Sequence, residues 1–137
     1  MFDGVEEQDV VGSPAVFGHA GHHSGQLRVT LVRPGAPGEG TGTFKRKFAV
    51  PASWNPDGTD LLVVPGGGYG AKNGPGVNTV IKGKEVLQDL VRSHQAGVVL
   101  AGVCTGVMVV SAAGLPRDAP ARPTTLRRPT SLLSRLR

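Results

Sequence analysis

Two apolar runs in this chain break directly into glycine. Asp60-Leu61-Leu62-Val63-Val64 opens into Pro65-Gly66-Gly67-Gly68, and Val98-Val99-Leu100-Ala101-Gly102-Val103 opens into Cys104-Thr105-Gly106. A strand without polar alternation is one covered on both faces, the environment of a parallel sheet between helices. Between the runs, Val80 to His94 has helical spacing through Val80, Val86, Leu87, Leu90 and Val91. A small-residue helix is expected from Thr105 to Ala113, with Gly114 at its C-cap. Strand, helix, strand, helix in that order predicts an α/β fold with parallel strands joined by right-handed crossovers. The chain's 137 residues, 39% of them hydrophobic, suffice for one modest core and so for one domain.

The N-terminal half is less regular. Glu6 to Phe17 suits a short helix interrupted by Gly12, Ser13 and Pro14, with Pro14 near a helix start. Leu27 to Arg33 alternates and is rich in β-branched residues, so it reads as a strand with one buried face. Pro34 to Gly42 reads as a loop, and Phe44 to Val50, which interleaves Phe44, Phe48 and Val50 with Lys45, Arg46 and Lys47, as an edge strand.

Bulk properties exclude several classes. No run of about 18 apolar residues is present to span a bilayer, and Met1-Phe2-Asp3-Gly4 lacks the blocks of a secretory signal, so the expected location is cytoplasmic. A single cysteine excludes an internal disulfide and a thiolate-rich zinc site. The net charge of +5 is uneven: residues 1 to 115 hold nine Lys/Arg against nine Asp/Glu, whereas beyond them six arginines face only Asp118. A basic end of this kind reads as a solvated or disordered tail, and nucleic-acid binding is not inferred from it. His19, His22 and His23 lie in a Gly/His stretch read as a loop, and no metal or other cofactor is expected.

Chemistry concentrates at Cys104. A buried strand leading into a sharp, glycine-flanked turn and then a helix is a nucleophile-elbow pattern. The turn lifts the side chain above the sheet, and the helix start behind it favours negative charge. The competing reading is a cysteine acting as a small buried hydrophobe. The Pro65 to Gly68 loop, at the end of the neighbouring strand, could present the Gly67 N–H toward the same point as the Thr105 N–H, making an oxyanion hole. Read alone, that glycine run is a plain turn. It is not a phosphate loop, because no Gly-Lys-Ser/Thr follows.

These segments, taken together with Ala112-Ala113-Gly114-Leu115, Arg122-Pro123-Thr124-Thr125 and the opening Phe2 to Gly12, resemble the DJ-1/PfpI superfamily (class I glutamine-amidotransferase-like) across residues 2 to 125. The isonitrile-hydratase-like branch is the most similar. The resemblance implies a flavodoxin-like three-layer sandwich with a mostly parallel sheet. It implies Cys104 as nucleophile, Asp9 as the acid that hydrogen-bonds its sulfur and serves as proton donor or shuttle, and the main chains of Gly67 and Thr105 as oxyanion donors. Glu6 and Glu7 read as surface residues. It further implies a small-molecule substrate and a homodimer; the apolar runs and the charge distribution, read above, give no membrane or nucleic-acid partner.

The chain departs from that pattern in three places. The family's first strand is represented only by Met1-Phe2, and its loss would leave two ladders unpaired. Leu126 stands where a histidine beside the cysteine is expected, and His94 reads as a surface residue. Residues 126–137 match nothing in the family. The expectation is therefore an incomplete domain over 1–125 with a tail from a truncated or frame-shifted reading. Three functions fit: a cysteine-dependent hydratase or hydrolase on a small carbon–nitrogen substrate, a non-enzymatic redox or ligand sensor such as the sensor half of an AraC-type regulator, or an inactive fragment.

Overall fold

The computed structural model describes residues 1–115. Its elements run α1 (Glu7–Ser24), β1 (Val32–Arg33), β2 (Gly38–Thr41), β3 (Lys47–Val50), β4 (Ala52–Ser53), β5 (Leu61–Val64), α2 (Val77–Gly83), α3 (Glu85–Gln95), β6 (Val99–Gly102) and α4 (Gly106–Ala112). The fold is mixed α/β, with four helices and three two-stranded sheets. Strands β5 and β6 pair in parallel, with α2 and α3 between them in sequence, and β1 and β4 also pair in parallel. Strands β2 and β3 form an antiparallel hairpin. No helix among the described residues is long and apolar enough to cross a membrane.

The core sits on one face of the β5–β6 pair. Val64, Val77, Leu90 and Val109, from β5, α2, α3 and α4, form the buried cluster, with Leu62, Val86, Leu87 and Leu100 packed around it. The continuous apolar runs predict strands covered on both faces, but the opposite face is only partly covered. Leu61 is 38% exposed and Val99 50%. Along the unpaired edge of β5 a groove of about 520 Å³ runs between α1, the segment Gln26–Val32 and β5. The ladder explains its chemistry. Val99 N–H donates to Asp60 O and Val103 N–H to Val64 O, so Asp60, Leu62 and Val64 face β6. Leu61 and Val63 therefore turn their main-chain groups toward the groove, as alternation in a parallel ladder requires.

Several expectations need correction. The strand over Leu27 to Arg33 contracts to Val32–Arg33, since residues 22 to 30 are exposed and no ladder lies alongside them. Part of the Pro34 to Gly42 loop is strand β2, held by β3 across a turn in which Gly42 N–H donates to Arg46 O at 2.8 Å and Lys45 takes φ 69°. The single helix from Val80 breaks into α2 and α3 because Lys84 adopts the left-handed φ of 62°.

Helix α1 is longer than expected and carries Pro14 in its interior rather than at its start. Pro14 removes the hydrogen bond to Val10 O. The helix nonetheless continues through the three histidines, which corrects their reading as a loop. It ends where Gly25, at φ 66°, donates its N–H to Gly21 O at 2.8 Å. A Cβ built at Gly12 or Gly18 meets nothing within 4 Å. Alanine at both positions is expected to add about 0.5–1 kcal/mol each through helix propensity, seen as a higher melting temperature. Gly21→Ala should lower it, since its Cβ would lie 2.5 Å from Leu27 O.

Candidate functional site around Cys104

Three segments meet at the C-terminal ends of β5 and β6: the start of α1, the Pro65-Gly66-Gly67 loop, and the β6–α4 turn. The turn is tight, with Gly106 N–H donating to Val103 O at 2.8 Å. Cys104 takes φ 53°, one of three non-glycine residues at positive φ among those described. Such a backbone costs of order 1–3 kcal/mol and persists only where its surroundings impose it. Here the constraint is Gly106, whose Cβ would fall 2.1 Å from Val64 O, so the turn lies directly against the end of β5. Cys104 is exposed, which excludes the reading of a buried hydrophobe.

The glycine loop is pressed against the same turn. A Cβ on Gly66 would lie 2.6 Å from both the nitrogen and Oγ1 of Thr105 and 3.1 Å from Cys104 Cβ. Gly67 N–H donates to Thr105 Oγ1 at 3.1 Å. The two main chains singled out for oxyanion binding are thus adjacent, with one donor already engaged by the Thr105 hydroxyl.

Asp9 reaches this place from α1. Its Oδ2 accepts the Gly66 N–H at 2.9 Å, and Gly66 O accepts the Glu6 N–H at 2.8 Å, so the helix start and the loop are tied in both directions. The carboxylate therefore holds the loop beside Cys104 rather than bonding the thiol. Asp9→Ala would strand a buried donor and is expected to cost about 1–3 kcal/mol in denaturant titration, whereas Asp9→Asn keeps an acceptor and should cost less.

Glu7 has a role that sequence reasoning missed. Its Oε1 accepts the N–H groups of Phe44 and Arg46, both at 3.0 Å, and its Oε2 lies 3.4 Å from Arg46 Nε. It is a clamp on the β2–β3 turn and not a free surface residue. Gly42 makes room for it, because a Cβ there would fall 2.5 Å from Glu7 Cγ. With Asp3 Oδ1 accepting the Thr41 N–H and Gly4 N–H donating to Thr41 O, the hairpin anchors the segment that leads into Asp9. The pairing spans more than thirty residues, so no local pattern could have signalled it.

His94 is exposed near the end of α3, as expected. Thr124, Thr125 and Leu126 lie outside the described residues. Among those described, no group of three or more His, Cys, Asp or Glu side chains could hold a metal ion. No protein-family model matches the chain. A search of the curated proteins likewise finds no match.

Proposed function

We propose that the chain is a DJ-1/PfpI-type protein of flavodoxin-like design, acting through Cys104 as a hydratase or hydrolase on a small carbon–nitrogen substrate such as an isonitrile. The observation that carries this reading is the exposed Cys104 at φ 53° at the strand-to-helix turn, against the Gly66-Gly67 loop. Addition of the Cys104 S–H across the terminal isonitrile carbon forms the C–S bond and gives R–N=CH–S–enzyme. Water then adds to that carbon, the C–S bond breaks, and an N-substituted formamide leaves with the thiol restored. Charge developing on the substrate would be met by the Thr105 N–H and by the Gly67 N–H once the Thr105 hydroxyl turns away. Asp9, one residue from that N–H, would move the protons. A cytoplasmic location and a homodimer, joined through the apolar surface beside β5, belong to the same reading.

Incubation with a small alkyl isonitrile, followed by mass spectrometry for the formamide, tests it. Formamide is expected with the unaltered chain and not with Cys104→Ala; equal production by both would discard the mechanism. A second reading, a peroxide sensor without turnover, is favoured by the pairing of Asp9 with Gly66 and of Gly67 with Thr105, which leaves the thiol free of both. Sulfinate at Cys104 after mild peroxide, with no formamide from any isonitrile, would select it.

A further inference from the structure

We infer that His19 and His23 form a two-imidazole chelate for a divalent transition-metal ion of the copper, nickel and zinc class, on the last turns of α1. The two residues stand four apart on one helix, a spacing that places side chains one above the other. Their Nε2 atoms are 3.2 Å apart. A metal bonding two imidazole nitrogens at about 2.0–2.1 Å, in adjacent tetrahedral or square positions, holds those nitrogens roughly 2.9–3.4 Å from each other. The separation in the protein falls within that range.

Without metal, one ring donates its Nε2–H to the other's lone pair, with the rings edge to face at 79° and centroids 4.6 Å apart. A cation takes the place of the shared proton: the donating ring gives up its Nε2–H and takes a proton on Nδ1 through solvent, with no net loss, and both Nε2 lone pairs turn to the metal. Both side chains are exposed, so nothing packed around them opposes that rotation. The negative end of the helix dipole lies at this terminus and favours a cation. Neutral imidazoles without carboxylates select borderline metals over calcium or magnesium. The described residues supply no third protein ligand, so water fills the remaining positions.

His22 is the internal control. It stands three residues from His19 and its ring centroid is 5.6 Å from that of His23, but the Nε2 pair joins His19 to His23 without it. Calorimetric titration of the full chain with Ni²⁺ at neutral pH is expected to show one ion bound. His19→Ala and His23→Ala should each weaken binding about tenfold or more, with His22→Ala changing it by less than about twofold. Ni²⁺ should also raise the melting temperature of the unaltered chain but not that of His19→Ala, because a ligand bound only by the folded form stabilises it. Absence of binding, binding that survives both His19→Ala and His23→Ala, or an equal loss in His22→Ala would each overturn the assignment.

Discussion

Gly67→Ala is expected to be the most damaging single-methyl change in the described chain, lowering stability by about 3 kcal/mol or more. Two effects act in the same direction. At φ 129° the backbone is in a region that L side chains rarely enter, and the added Cβ would lie 2.2 Å from Glu6 N and 2.5 Å from Gly4 O and Val5 C. These are main-chain atoms and cannot move aside as a flexible side chain would. Val5 is fully buried, so displacing the segment opens the packing beneath it. Gly70→Ala, whose Cβ meets nothing within 4 Å, should stay within about 0.5 kcal/mol of the unaltered chain. Thermal melts followed by circular dichroism compare the two; similar melting would mean that the Gly4–Glu6 segment does not sit against the loop.

Substitution at Cys104 should separate stability from chemistry. The left-handed backbone costs a non-glycine residue roughly 1–2 kcal/mol, and glycine forfeits about 0.5–1 kcal/mol of that through its freer unfolded chain. Since the side chain is exposed, little burial is lost. Cys104→Gly is therefore expected to melt at the same temperature or slightly higher while losing all thiol chemistry, including labelling by iodoacetamide. Cys104→Val should melt several degrees lower, because a β-branched residue tolerates positive φ worst. If valine and glycine melted alike, the backbone at residue 104 would not be strained.

Legibility in the sequence followed the range of the interaction. The β5 and β6 runs and the Cys104 turn are local features, written in consecutive residues, whereas Gly114, expected as the cap of α4, stands one residue past the Ala113 cap at φ 69°. Lys84 illustrates the opposite case: its left-handed break between α2 and α3 interrupts a continuous helical spacing, and lysine carries no turn signal. The β2 strand, Gly38–Thr41, has two glycines and no apolar alternation, so its pairing with β3 and the clamp by Glu7 emerge only in three dimensions. In the site, the proximity of Gly66 and Thr105 follows from parallel strands ending together. The partner chosen by Asp9 does not, because which donor the carboxylate meets depends on how α1 docks against the loop, a contact 57 residues apart in sequence.

The groove beside β5 has a consequence for which substitutions the strand can accept. Leu62 and Val64 pack with the helices, where an added methylene must displace a neighbour and costs about 1–3 kcal/mol. Leu61, 38% exposed, borders open volume, so a bulkier residue there meets space before it meets atoms, whereas half-buried Val63 shares the groove wall with Leu62. One strand thus grades in tolerance along its length: Leu61 is constrained by solubility and Val64 by volume.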